Sequence, residues 1–110
     1  MELKQGARYG NGFNPEHPHI VWFWEVVIEE WDDDQRRRLL QFSTGSDRAP
    51  VNGLKSLFFT IVREGGFDDS RLPSSHTCFN RLDMPEYSSK AVVKRNLEIA
   101  IANATGFGFA

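Results

Sequence analysis

The chain has 110 residues, of which 40% are hydrophobic and 13% aromatic, and this predicts one folded domain with its own core and excludes a disordered chain. The formal net charge is −2, and no segment carries the basic surplus that is typical of nucleic-acid binding, so we expect no nucleic-acid partner. No run of about 18 apolar residues is present, so we expect no membrane span.

The first clear element is a helix that starts near Pro18, because proline suits a first helical turn and residues 1–18 are otherwise interrupted by glycine and proline. Apolar residues then follow helical spacing along one face: Ile20, Phe23, Trp24, Val27, Ile28 and Trp31. Trp22 and Val26 fall off this face. They indicate either more core or a docking surface for a partner.

A second helix is predicted after Asp32, which can cap it, with Gln35 at the capping-box position. Acids at its start and the bases of residues 36–38 suit the helix dipole, so these charges indicate a solvated face and not a phosphate site. Gly45 is expected to end this helix. Its buried side chains are expected to be Leu39, Leu40 and Phe42.

Strands are expected in the middle of the chain. Residues 46–53 are rich in turn formers, and the aromatic and β-branched residues 57–62 predict a strand. Residues 63–75 are expected to form a loop, and residues 77–82 a second strand that stops before Pro85.

Ser88 or Ser89 can cap a last helix. Its buried stripe is expected to contain Val93, Leu97, Ala100, Ile101 and Ala104. Helices at both ends with strands between them predict an α+β layer structure.

Cys78 is the only cysteine, so no internal disulfide can form, and too few thiolates remain for a structural zinc site. This favours a reducing compartment, as does the absence of a signal-peptide pattern in the first dozen residues. A lone cysteine is more often a small buried apolar residue than a nucleophile. Two features favour a nucleophile: Cys78 follows a long polar loop, and in an extended segment it would share one side with His76.

Other thiol chemistries fit the spacing poorly. A tyrosine-phosphatase loop needs histidine directly before the cysteine and arginine six residues after it, whereas Thr77 intervenes and Arg81 comes too early. A redox pair needs a second cysteine. A metal site would have to combine Cys78 with three histidines that share no recognised ligand spacing with it: His17, His19 and His76. We therefore expect no metal and no cofactor.

Residues 72–83 read LPSSHTCFNRLD and resemble the active-site segment of HECT-type ubiquitin ligases. Three further stretches resemble family motifs: IVWFWEV at 20–26, LLQFSTGSDRAP at 39–50 and LDMPEYSSK at 82–90. Gly-Phe-Gly at 106–108 resembles the family's tail. The resemblance covers nearly the whole chain, in order and at consistent spacing.

The resemblance implies a two-layer α+β domain, with a small sheet of about four strands packed with helices, and assigns residues 1–110 to the C-terminal catalytic lobe of a HECT domain. It implies that Cys78 accepts ubiquitin from a conjugating enzyme as a thioester and passes it to a substrate lysine. His76 and Thr77 would support the transfer, or only order the loop. Phe107 would dock on the larger N-terminal lobe, or else pack on this domain's own core.

Further expectations follow from the same family. Phe109 could compete with Phe107, and Asp47 and Arg48 are interpreted as structural. Residues 79–82 would offer a strand edge for the extended tail of ubiquitin.

The implied partners are ubiquitin, a conjugating enzyme recruited through the N-terminal lobe, which this chain lacks, and protein substrates. The chain is expected to fold alone without being charged efficiently, and to be cytoplasmic, with the nucleus left open. Two other functions stay open: a ubiquitin-binding or scaffold module without turnover, and a redox-sensing domain built on the lone thiol.

Overall fold

Helices pack with the strands of one sheet in the computed structural model, which describes residues 2–46, 53 and 58–104. The elements follow along the chain as α1 (Glu2–Gln5), β1 (Arg8–Gly10), α2 (Pro18–Glu25), a π-helical extension of α2 (Val26–Glu30), α3 (Asp33–Thr44), β2 (Thr60–Phe67), β3 (Ser74–His76), a 3-10 turn (Thr77–Phe79), β4 (Arg81–Glu86) and α4 (Lys90–Ala104). Among the described residues, no helix is both long and apolar enough to cross a membrane.

The four strands form one sheet in the order β1-β2-β4-β3. β2 pairs in parallel with both β1 and β4, whereas β3 pairs antiparallel to β4. The helix α3 contacts α4, β3 and β4, and α4 also contacts α2. The predicted α+β class, with a small four-stranded sheet packed against helices, is confirmed.

The helix at Pro18 forms as the sequence predicts, with proline in its first turn. Val26 lies off the predicted apolar face but is fully buried, and Trp22 is partly buried against the same core. The second apolar surface is therefore core, because α2 is covered on more than one side. The π-helical extension was not predicted, because apolar residues spaced at 3.6 residues per turn indicate an α-helix and not the wider turn of a π-helix.

The helix α3 begins with the predicted capping box. The Asp32 side chain accepts a hydrogen bond from the Gln35 backbone N–H at 2.8 Å, and the Gln35 side chain accepts one from the Asp32 N–H at 3.1 Å. Gly45 ends the helix in the left-handed conformation with φ at 83°. Such a φ favours glycine, because a side chain at this position is strained.

Arg36 has a structural role that the sequence did not indicate. Its guanidinium donates hydrogen bonds of 2.7 Å to the carbonyl oxygens of Val27 and Ile28, at the end of the π-helical extension. Carbonyl groups at a helix end lack partners within the helix, so this arginine ties α3 to the end of the preceding helix.

The prediction for the first eighteen residues was wrong in part, because they contain α1 and β1. The strand predicted at 57–62 was also misplaced. β2 starts only at Thr60 and continues to Phe67, into the segment predicted as a loop. Phe58 has φ at 51°, which is incompatible with an extended strand, and residues 54–57 lie outside the described part.

The strand predicted at 77–82 was wrong at both ends. Its first three residues form the 3-10 turn, and β4 begins at Arg81 and passes through Pro85. Proline is tolerated there because the β2–β4 register shifts between Arg63 and Phe67, and the pairing of β4 with β3 runs only from Arg81 to Asp83.

Ser89 is the serine that caps the last helix, since its hydroxyl accepts a 3.4 Å hydrogen bond from the Val92 N–H. Ser88 instead bonds to Asp69. The predicted stripe is buried at Val93, Leu97, Ala100 and Ile101, while the side chain of Ala104 lies outside the described part. The buried Asn96, which was not predicted, donates to the Asp69 carbonyl at 2.9 Å and joins the loop before β3 to α4.

Candidate active site

Cys78 lies in the middle of the 3-10 turn that joins β3 to β4, and its thiol is free and exposed. Asn80 closes this turn in the left-handed conformation, with φ at 51° and ψ at 45°. Its N–H donates to the Thr77 carbonyl at 3.3 Å, and its carbonyl accepts a 3.0 Å hydrogen bond from the Thr60 N–H on β2. The turn that carries the thiol is therefore fixed to the neighbouring strand.

The end of α3 lies against the other side of this turn. A Cβ built on Gly45 would lie 3.6 Å from the Cβ of Thr77, the residue directly before Cys78. The thiol is thus presented by a short turn that a strand and a helix end both support. Sites held by rigid elements keep their geometry better than sites on free loops.

A buried carboxylate lies beneath His76. The Nε2 of His76 is 2.9 Å from an Asp83 oxygen, and Arg81 donates to both oxygens of the same carboxylate at 2.6 and 3.0 Å. Asp83 is only 2% exposed, whereas the His76 side chain is half exposed. Burial alone would raise the pKa of Asp83, but the bonds and charge of Arg81, with the charge of His76, hold that pKa below its ordinary value. Asp83 is therefore a carboxylate near neutral pH.

His76 and Cys78 do not share one side of an extended strand, because the chain leaves β3 at His76 and enters the turn at Thr77. That expectation was wrong. Sequence reasoning also missed Asp83 and Arg81, since the burial of β4 is nearly continuous and gives no alternation that would single out an inward-facing acid.

The strand edge expected at 79–82 was misplaced as well. β4 lies between β2 and β3, so neither of its sides is free, and β3 is the edge strand on this side of the sheet. The side of β3 (Ser74–His76) that pairs with no other described strand leads directly into the turn that carries Cys78.

Phe79 is 72% exposed and follows Cys78 directly. Thr77, on the other side of the thiol, is also exposed. An exposed phenylalanine beside a reactive group offers an apolar surface that a bound partner can cover. Sequence reasoning placed Phe79 in a strand and so missed its exposure.

Each of the three histidines has structural contacts, and the rings of His17 and His19 both lie against Phe13. His17 caps α2 by accepting the His19 N–H at 3.1 Å, His19 is buried beside the ring of Phe13, and His76 bonds to Asp83. Within residues 2–46, 53 and 58–104, no three histidine, cysteine or acidic side chains are grouped so that they could hold a metal ion.

Four residues of the sequence-based predictions lie outside the described part of the chain: Asp47, Arg48, Phe107 and Phe109. Their predicted roles stay predictions.

Known proteins that resemble this chain point to one family. The model of the family described as HECT-domain (ubiquitin-transferase) matches residues 1–110. The E3 ubiquitin-protein ligase pub1 of Schizosaccharomyces pombe is 47% identical over 96 residues, which are 81% of this chain. RSP5 of Saccharomyces cerevisiae, also an E3 ubiquitin-protein ligase, is 45% identical over 104 residues, or 88% of the chain. HUL4 of Eremothecium gossypii, a probable E3 ubiquitin-protein ligase, is 43% identical over 108 residues, or 97%. The chain spans 12% of the length of each of these three relatives.

Proposed function

This chain belongs to the HECT family of ubiquitin transferases, and we propose that it is the C-terminal catalytic lobe of such a ligase, in which Cys78 carries ubiquitin as a thioester. The observation that supports this most strongly is the exposed free thiol on a turn that β2 and the end of α3 both hold. A structural cysteine would be buried, since cysteine is among the most buried residue types.

In the first half-reaction, the sulfur of Cys78 attacks the carbonyl carbon of a ubiquitin thioester on a conjugating enzyme. Cys78 reacts as its thiolate, having lost its proton to solvent; a new C–S bond forms, the old C–S bond breaks, and the enzyme's sulfur leaves as a thiolate that takes up a proton in its turn. The bond formed and the bond broken are of the same kind, so the exchange is nearly balanced in free energy. Access and orientation are then the main requirements, and an exposed, fixed turn provides both.

In the second half-reaction, a substrate lysine attacks the same carbonyl carbon. A C–N bond forms, the bond to Cys78 breaks, and the lysine nitrogen loses a proton. This step yields an amide and is strongly downhill, but it needs a neutral amine and an acceptor for the proton. His76, which lies two residues before Cys78 in the same segment, has an ionisable side chain.

The outer edge of β3, which no other strand in the described part of the chain pairs with, fits an extended peptide. A partner strand paired with Ser74–His76 would run beside the chain that leads to Cys78 and would direct its end toward the thiol. We place the tail of ubiquitin on this edge, where the backbone groups of β3 that face away from β4 would pair with it.

The chain spans 12% of the length of its curated relatives, so further segments of a ligase would complete the reaction. In this proposal, an N-terminal lobe encoded outside this sequence recruits the conjugating enzyme, protein substrates provide the lysine, and the protein acts in the cytoplasm.

A pulse-chase experiment tests this function. The chain is loaded from a ubiquitin thioester donor that needs no conjugating enzyme, the donor is removed, and free lysine is added. Loss of the chain–ubiquitin adduct with matching appearance of ubiquitin-lysine supports a transferase. An adduct that forms but never discharges to lysine would contradict transfer and favour a module that only binds ubiquitin.

A further inference from the structure

Asp83 is a deeply buried ionised group near the candidate site. Its carboxylate is 2% exposed, and its side-chain contacts include two from Arg81 and one with His76. The two bonds from Arg81 already engage both oxygens, so the contact with His76 is additional to the ion pair. The contact with Asp83 fixes the position of the Nε2 of His76, although the His76 side chain is half exposed.

We propose that Asp83 is a positioning residue that holds His76, two residues before Cys78, in one tautomer and orientation. This inference rests on the proposed ubiquitin transfer and identifies the residue that prepares the proton acceptor for its second half-reaction. Because a carboxylate only accepts hydrogen bonds, the Nε2 of His76 must be the nitrogen that carries the hydrogen. The Nδ1 of the neutral ring is then unprotonated and can accept a proton.

The chemistry of the lysine step uses this acceptor. After the neutral amine attacks the thioester carbon, the lysine nitrogen carries an extra proton and the former carbonyl oxygen a negative charge. Transfer of that proton to Nδ1 gives an imidazolium, which the carboxylate of Asp83 stabilises. The intermediate then collapses, the C–S bond breaks, and the imidazolium returns the proton to the departing sulfur or to water.

The charges around His76 favour this arrangement. On β4 the ring meets Asp83, whose charge Arg81 balances, and on β2 Glu64 interacts with Arg81 and forms a side-chain hydrogen bond with Asp83. The last turn of α3, which packs against β3, contains no basic side chain. A proton gained by His76 is therefore next to the buried Asp83 and meets no added positive charge from the last turn of that helix.

The spectroscopic test measures the tautomer directly. Nitrogen-15 NMR of the ring nitrogens distinguishes the Nε2–H from the Nδ1–H form, and His76→Gln identifies which signals belong to His76. We expect the Nε2–H form of the neutral ring in the wild-type chain. A neutral ring in the Nδ1–H form, or an equal mixture, would overturn the proposal without any activity measurement.

The kinetic test compares Asp83→Asn with Arg81→Lys in discharge from the charged chain to free lysine. The amide that Asp83→Asn introduces can donate to Nε2 and so permits the wrong tautomer, whereas Arg81→Lys weakens the ion pair but keeps both the carboxylate and a positive charge. We expect Asp83→Asn to slow the maximal discharge rate by about tenfold, with little change in the lysine concentration for half-maximal rate. Arg81→Lys should keep the Nε2–H tautomer and slow discharge less than Asp83→Asn does.

A double variant completes the test. If Asp83 acts through His76, then Asp83→Asn and His76→Gln each slow discharge, and the combined variant is no slower than His76→Gln alone. Two outcomes would show that Asp83 acts only as part of a structural ion pair. In the first, the rate losses of Asp83→Asn and His76→Gln multiply in the combined variant; in the second, Asp83→Asn and Arg81→Lys slow discharge equally. If the wild-type chain forms no thioester, the proposed function fails, and the tautomer measurement still decides whether Asp83 positions His76.

Discussion

Gly45 and Thr77 lie in contact, so that the end of α3 supports the turn that presents Cys78. A Cβ on Gly45 would be 3.6 Å from the Thr77 Cβ, an ordinary contact distance, but the φ of 83° at Gly45 is strained for any residue with a side chain. The cost of a substitution here therefore comes from the backbone and not from a clash.

We predict that Gly45→Ala lowers the free energy of unfolding by about 1 kcal/mol, as measured by urea denaturation. Gly66→Ala is the matched control, because Gly66 shows no positive φ and a Cβ there would meet nothing within 4 Å. That variant should change the stability by less than about 0.5 kcal/mol. Equal effects of the two substitutions would contradict a special requirement for glycine at the end of α3.

The exposed ring beside the thiol should contribute to ubiquitin transfer. We predict that Phe79→Ala slows formation of the thioester by about tenfold, because a bound ubiquitin tail would no longer cover an apolar ring. Phe67→Ala is the control: this residue is 77% exposed, compared with 72% for Phe79, but lies at the far end of β2. Single-turnover loading rates and thermal unfolding of both variants would decide. Equal loading rates for the two would show that Phe79 is only an exposed residue.

The stability of the domain should fall in mild acid because of His19. This ring is 1% exposed, and neither of its nitrogens has a hydrogen-bond partner among residues 2–46, 53 and 58–104. Burial, reinforced by the charge of His17 and opposed by that of Glu86, lowers the pKa of His19 from 6.5 to about 4. The folded state therefore resists protonation, so its stability is highest above pH 6.5 and decreases as the pH falls toward 4.

As the pH falls from 6.5 to about 4, the protonation of His19 in the unfolded state lowers the free energy of unfolding by about 3 kcal/mol. We predict that His19→Phe removes most of the loss between pH 6.5 and 5, because phenylalanine carries no proton, and that it is at least as stable as wild type at pH 7. Urea denaturation at several pH values measures the effect. His17→Gln serves as the control and should keep most of the acid-dependent loss, because burial lowers the pKa of His19 more than the charge of His17 does. An unchanged pH profile in His19→Phe would assign the loss to other groups.

The parts of the fold with strong local signals could be predicted from the sequence. The capping box at Asp32, the glycine stop at Gly45 and the proline at the start of α2 each depend on a few neighbouring residues, and all three are found. Spacing at 3.6 residues per turn also identified the buried side of α4. These signals are local, and tertiary contacts did not override them.

The sheet was predicted less well because strand limits depend on distant partners. β1 has three residues and exists only through its pairing with β2, and Pro85 stays in β4 because the β2–β4 register shifts beside it. Nothing local distinguishes the turn around Cys78 from a strand, because its closure requires Asn80 in a left-handed conformation. The family motif identified Cys78, whereas the contact between Asp83 and His76 needed the fold.

Charging by a conjugating enzyme should require more sequence than this chain has. We predict that the chain alone accepts ubiquitin from a charged conjugating enzyme at least about a hundredfold more slowly than the same residues joined to an N-terminal HECT lobe, because only proximity makes the exchange efficient. Single-turnover rates at equal enzyme concentrations measure this. Comparable rates would show that the conjugating enzyme binds this lobe directly.

The most direct test of the central claim is the chemical nature of the adduct formed from a ubiquitin thioester donor, read on a non-reducing gel. Wild type should form an adduct that thiol reagents release, Cys78→Ser a slower adduct that resists thiols because it is an oxygen ester, and Cys78→Ala none. An adduct that persists in Cys78→Ala, or its absence from a wild-type chain shown to be folded, would contradict the assignment of Cys78 as the residue that accepts ubiquitin.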